Sequence, residues 1–274
     1  MNTPGKTPGN DDGTSAGAAT IAAAWAVAAF QLRRLRTRPR LAMAAVAAVF
    51  PAAVMLAVNR ASRGSLPSDV GVAILYALIP EAVCMLGLLV TMCPAVADEL
   101  ERGTWAHVTT RPGGRRALLL GTWLAAVAWT GLVALAALAL AIPVSHLDEP
   151  AHVAALLAGL VGLSCAGRAA LFALPAVVLP KRALVASVAV AIVVEYLAGT
   201  IPAVVNQATV SLRLRSLLVT GMGWKQKLPT EMQLFIDPQP PWVHVLAVAI
   251  LVVAFLGVAV AILDRRQFPP GDEL

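Results

Sequence analysis

Six apolar runs set the pattern of this chain, over residues 41–58, 71–96, 117–144, 152–179, 183–205 and 242–263. Each approaches or exceeds the ~20 residues that a helix needs to cross a ~30 Å hydrocarbon core. Hydrocarbon offers no partner for backbone N–H and C=O groups, so each run must satisfy its own and is predicted to be a helix. The short alternating segments of a membrane barrel do not occur. Ahead of the first run, Ile21, Trp25, Ala28, Leu32 and Leu35 recur at helical spacing, while Arg33, Arg34 and Arg38 point elsewhere. This stretch is too short to span, and its arginines follow the apolar part, the reverse of a cleaved signal peptide. It reads as an interfacial amphipathic helix over 18–40, stopped near Pro39. Residues 1–17, rich in Gly, Pro, Ser, Thr, Asn and Asp, read as a disordered tail, and 267–274 as a short C-terminal one. Residues 206–241 mix apolar and basic positions and read as an external segment lying on or dipping into the outer leaflet. The fold class is therefore an all-α integral membrane protein, with six transmembrane helices behind one interfacial helix.

Composition supports this picture, and charge orients it. The 274 residues are 59% hydrophobic and 13% charged, with mean hydropathy +0.78. A soluble domain carries about 25% charged residues. The net charge of +6 does not point to nucleic acid, because the basic residues flank the apolar runs, where they meet anionic headgroups. Arg33, Arg34, Arg36, Arg38, Arg40, Arg102, Arg111, Arg115, Arg116, Lys181, Arg182, Arg265 and Arg266 fall on one side of the six-span arrangement. Only Arg60, Arg63, Arg213, Arg215, Lys225 and Lys227 fall on the other. The positive-inside rule then places both termini in the cytoplasm, as in a multi-pass protein of a bacterial-type inner membrane. Trp25 and Trp105 are expected near the inner interface, Trp224 and Trp242 near the outer one. Cys84, Cys93 and Cys165 all lie within apolar runs and read as small buried hydrophobes, without metal-ligand or disulfide spacing.

One connection is richer in charge than a turn requires. Between the second and third runs the chain reads "ADELERGTWAHVTTRPGGRR". Asp98, Glu99 and Glu101 close the second run and Gly103 interrupts; about two helical turns then precede the turn at Pro112-Gly113-Gly114, and Arg115 and Arg116 mark re-entry. This predicts a short helix held across the membrane surface between acidic and basic anchors. The stretch "ELERGTWAHVTTRPGGRRALLLG" resembles the intracellular-loop motif of ABC-2 transporter permeases: Glu99, Glu101, Gly103, Thr104, Pro112, Arg115 or Arg116, Leu119, Leu120 and Gly121 fill its places. Gly113-Gly114 stands where a Val-Ser type pair is usual, and Thr122 where a Lys is common. The resemblance covers 18–266 in architecture and this short stretch in motif. It implies that residues 98–116 form a cytoplasmic coupling helix seated on a separate ATPase subunit. Glu99, Glu101 and Arg102 would offer charge, and Trp105 and Val108 apolar anchors. No Walker-type Gly-x-x-x-x-Gly-Lys-Ser/Thr occurs in the chain, so ATP and Mg would belong to the partner and no cofactor or metal to this polypeptide.

Three ionisable residues fall inside spans: Glu81, Arg168 and Glu195. At a bilayer centre each costs roughly 2.5–3.5 kcal/mol and needs a partner or water. Arg168 and Glu195 lie at similar depth in consecutive antiparallel spans, which predicts an ion pair between them. Glu81, beside Pro80, falls nearer the outer side with no evident partner. Ala158, Gly162, Ala166 and Ala170 place small residues every four positions, a pattern that lets another helix approach closely. Pro80, Pro94, Pro143, Pro175 and Pro202 are expected to kink or end helices.

The expected function is the permease subunit of an ATP-binding-cassette transporter, an exporter working as a homodimer or heterodimer. The alternatives are a scaffold or signalling subunit that tethers an ATPase, and an intramembrane enzyme. Against the enzyme, Ser164 in "GLSC" lacks the second Gly of a protease turn. His107, His146, His152 and His244 sit at membrane edges without forming a metal box.

Overall fold

The computed structural model describes residues 12–101, 113–197, 209–224, 237 and 239–266. Every element among them is helical. In chain order these are α1 (Asp12–Leu35), α2 (Arg38–Ala61), α3 (Ser68–Glu101), α4 (Gly114–Val144), α5 (Pro150–Val178), α6 (Ala183–Leu197), α7 (Val210–Gly221) and α8 (Pro241–Arg265). Five of them, α2, α3, α4, α5 and α8, are long and apolar enough to cross a membrane. The fifth expected span begins as α6, whose winding changes to π at Ala191; its remainder, 198–205, lies outside the described residues.

Proline shapes these helices as its missing N–H and bulky ring require. In α3, Pro80 sits in a π-helical stretch, Ala77–Val83, and Pro94 in a 3-10 turn, Cys93–Ala95. Pro143 opens the closing 3-10 turn of α4, Ile142–Val144. Pro175 falls in the last turn of α5, and Pro202 lies outside the described residues.

Two apolar clusters stack along the bundle. One joins Leu88 and Met92 of α3, Leu119 of α4, Phe172 of α5 and Leu263 of α8. The other joins Met55 of α2, Leu75 and Ile79 of α3, Leu157 of α5 and Leu214 of α7. The first lies at the end bearing Arg115, Arg116, Arg182 and Arg266, hereafter the basic end.

One expectation is corrected at α1. The helix begins at Asp12, so residues 12–17 are not a tail; 1–11 lie outside the described residues. The apolar stripe of α1 is shared between the bundle and its outer face. Ala24, Ala28 and Leu35 face the bundle, whereas Ile21, Trp25 and Phe30 are exposed. The reason is close approach to α4. A Cβ on Gly121 would stand 2.6 Å from the Ala24 carbonyl oxygen and 2.6 Å from Val27 Cβ, so only small residues fit between the helices. Contacts progress from Thr20 at Gly113 to Val27 at Gly121, so α1 runs alongside the first half of α4 in the same direction.

The small-residue stripe of α5 is also divided. A Cβ on Gly162 would meet nothing within 4 Å, while Ala170 is fully buried. The close approach occurs instead at Gly167, where an added Cβ would meet Val210 at 3.0 Å and Val248 at 3.5 Å. Ala166 contributes its carbonyl, which accepts from Trp123 Nε1 at 3.3 Å, and Ala158 packs on the second apolar cluster.

Candidate functional site: a charged seam and an anchored loop

Between the two apolar clusters lies a polar seam centred on Arg168, which is wholly buried. The expected pair with Glu195 is present, with Arg168 Nε 3.4 Å from Glu195 Oε2. Glu81, expected to lack a partner, is a second one: Arg168 Nη2 donates to Glu81 Oε2. The π stretch around Pro80 explains why. The Cys84 N–H reaches the carbonyls of Ile79 and Glu81, passing over that of Pro80. The Pro80 carbonyl then accepts from Arg168 Nη1 at 2.6 Å and Ser164 Oγ at 2.7 Å. This re-aiming by a widened turn brings Glu81 to the Arg168 level, and Tyr76 Oη fixes its other oxygen at 2.6 Å.

Glu195 is held from the opposite side by α7. Thr209 caps α7, its side chain accepting from the Leu212 N–H. Glu195 Oε1 accepts from the Val210 N–H at 3.2 Å, and Oε2 from the Ser211 N–H at 3.0 Å and Ser211 Oγ at 2.7 Å. A carboxylate at a helix N-terminus meets unsatisfied N–H groups and the positive end of the helix dipole. Residues 210–221 are therefore no surface segment: from Val210 to Val219 nearly every side chain is buried. The helix turns into the bundle because its N-terminus has a carboxylate to receive it. Arg213, one turn on, donates to Asp237 Oδ2 at 2.5 Å and lies 3.4 Å from His244 Nδ1.

The thiols of Cys84 and Cys165 flank the seam, their sulfurs 3.6 Å apart. Both are free and buried, as expected of small hydrophobes. Copper-phenanthroline treatment of a Cys93→Ala chain is expected to oxidise the pair, giving faster non-reducing migration that Cys165→Ala abolishes. No shift would place α3 and α5 in a different register.

The roots of the charged loop are tied to other helices. At the α3 side, Arg34 of α1 donates to Asp98 Oδ2 at 2.6 Å and Glu99 Oε1 at 3.0 Å. Glu99 is buried, whereas Glu101 is exposed. At the α4 side, Gly113 adopts φ 70°, which accounts for glycine there. Arg115 Nη1 donates to the carbonyls of Leu263 and Arg266 at 3.2 Å, closing the C-terminus of α8. Arg116 Nη2 meets Asp264 Oδ2 at 2.8 Å. Arg266 in turn donates to the Val177 carbonyl at 3.0 Å and to that of Val178, at the C-terminus of α5. Thr122 is buried and donates to the Leu118 carbonyl at 2.8 Å. Arg102, Gly103, Thr104, Trp105, Val108 and Pro112 lie outside the described residues.

Sequence reasoning missed Tyr76, Ser211 and the Pro80 carbonyl. Thr209 before an apolar-periodic stretch was the usable signal for Ser211, because it marks a helix start.

A chain whose described elements are all helical, with five apolar helices of spanning length and a buried charged seam, is a multi-pass membrane protein. Comparison with known protein families, curated proteins and solved structures finds no match to this chain.

Proposed function

We propose that the chain is the permease subunit of an ATP-driven transporter, exporting substrate across a bacterial-type inner membrane as a dimer, with ATP hydrolysed by a separate subunit. Both termini and the basic end face the cytoplasm. The motif around Glu99–Gly121 suggests the class, and the anchoring of its two roots carries the reading. An ordinary surface loop needs no such ties. This one is joined to α1 through Arg34, to α8 through Arg115 and Arg116, and onward to α5 through Arg266. Pairs of this kind contribute little stability when exposed, but they fix where a displacement is passed on. A push on the loop reaches α5, and Arg168 lies ten residues from that helix's end, about 15 Å at the helical rise. Packed helices shift as rigid bodies, so ATP-driven closure of a bound motor would be felt at the seam.

The test is capture of a Walker-motif ATPase, sought first in the neighbouring reading frame, on the tagged chain. Capture is expected to fall roughly tenfold or more in Glu101→Lys with the chain's own yield unchanged. Glu99→Ala is expected to lower yield as well, since it strips Arg34 of a buried partner. Equal capture by wild type and Glu101→Lys would remove the coupling role. ATP hydrolysis by reconstituted vesicles without movement of any cargo would assign the chain to tethering.

A further inference from the structure

Between α2 and α3, floored by α4, lies a cavity of about 610 Å³ with an almost wholly apolar lining. Helix α2 leans on the bundle through Ala47, Ala48 and Ala52, and its Met43, Val46 and Phe50, which line the cavity, remain more than half exposed. The charge at its mouth says what this space takes. At its mouth stands Arg40, which has no carboxylate partner among the described residues and also lines the small polar pocket above, beside Arg34 and Asp98. Asp98 and Glu99 are engaged by Arg34, while Arg33, Arg36 and Arg38 stand exposed nearby. The N-terminus of α2, without a side-chain cap, opens at the same place. Cation, surrounding positive charge and free helix N–H groups together favour an anion. Deeper in, Thr130 lines the cavity, is 1% exposed, and its Oγ1 has no hydrogen-bond partner. It lies opposite Gly87, one helical turn below the mouth residue Thr91. Its hydroxyl is closed off against Gly87, so Thr130 belongs to the shut wall of the cavity.

We propose that this groove binds an anionic phospholipid drawn from the leaflet at the basic end. Its phosphate sits on Arg40, and one acyl chain runs down the apolar wall past Phe50 and Trp129. A free phosphate would satisfy Arg40 and leave the apolar volume unused. A helix of a second copy would fill the volume and leave Arg40 without an anion. The proposal rests on the membrane placement of the chain, not on its being a transporter.

Trp129 reports the site directly. The full chain is reconstituted into vesicles containing phosphatidylglycerol or phosphatidylcholine with dibrominated acyl chains, and the Trp129 signal is isolated by subtracting the Trp129→Phe protein. Quenching is expected at a several-fold lower mole fraction of phosphatidylglycerol, because both lipids bring a phosphate to Arg40 but phosphatidylcholine also brings a quaternary ammonium that Arg33, Arg36, Arg38 and Arg40 repel. Arg40→Gln is expected to abolish that preference, and Ala82→Phe, which fills the groove, to protect Trp129 from both lipids. Millimolar inorganic phosphate should not compete. Equal quenching by the two lipids, a preference that survives Arg40→Gln, or a Trp129 quenched by neither because protein occupies the groove would each overturn the proposal. Arg40 lies at the mouth outside both apolar clusters, so Arg40→Gln decides the matter even where Ala82→Phe fails to fold.

Discussion

Arg168→Leu is expected to abolish recovery of folded protein. The substitution leaves Glu195, 1% exposed, and Glu81 facing each other without a cation, and removes the donors that hold the Pro80 carbonyl and Ser211. Breaking a buried ion pair by deleting one partner costs about 3–5 kcal/mol, comparable with the whole stability of many domains. Replacing all the charges together is far milder, because apolar or neutral substitutes of similar size need no compensation. The triple variant Arg168→Leu, Glu81→Gln, Glu195→Gln is therefore expected to regain a monodisperse chromatographic profile. The double variant that keeps Glu81 should recover only in part. Thermal stability measured by size-exclusion survival decides it. A single Arg168→Leu chain as stable as wild type, or a triple variant no better than the single, would show that the seam does not hold α3, α5, α6 and α7 together.

Gly121→Leu is expected to strip α1 from the bundle. The new side chain would begin 2.6 Å from a backbone carbonyl of α1, which cannot swing aside as a flexible side chain can. Even Gly121→Ala should cost about 1–3 kcal/mol, the usual penalty of overpacking. Gly162→Ala provides the contrast. A Cβ there meets nothing within 4 Å, and alanine gains up to about 1 kcal/mol of helix propensity over glycine. Trypsin cleavage within the Arg33–Arg38 run should accelerate in Gly121→Leu and stay unchanged in Gly162→Ala. Equal cleavage in both would place α1 elsewhere than on α4.

These two glycines also show what the sequence can and cannot announce. Apolar length alone locates α2, α3, α4, α5 and α8, because a bilayer tolerates little else. Depth counting along α5 and α6 is enough to pair Arg168 with Glu195. It fails for Glu81, because a π turn at Pro80 re-aims a side chain by an amount that residue counting at a fixed rise does not contain. It fails for α7 for a related reason. "VSLRLRSLLVTG" mixes arginine with leucine as an interfacial helix does, and partners such as Glu195, Asp237 and the His244 ring make its interior position tolerable. The small-residue spacing Ala158, Gly162, Ala166 and Ala170 on α5 suggested a close approach along that stripe, whereas the tight crossing falls at Gly167 and, on α4, at Gly121. Which glycine faces a neighbour depends on the rotation of the helix, and an alanine-rich sequence leaves that open. Glu99 and Glu101 looked equivalent as partner-facing acids. Their different exposure follows from the position of Arg34, seen only once α1 is packed.

The central claim is that the segment between α3 and α4 meets a nucleotide-driven motor in the cytoplasm. A photo-crosslinking amino acid at position 105, irradiated in intact cells, tests it most directly. One dominant adduct with a Walker-motif ATPase is expected, its yield changing when nucleotide is trapped. An adduct with periplasmic protein, or with lipid alone, would contradict it.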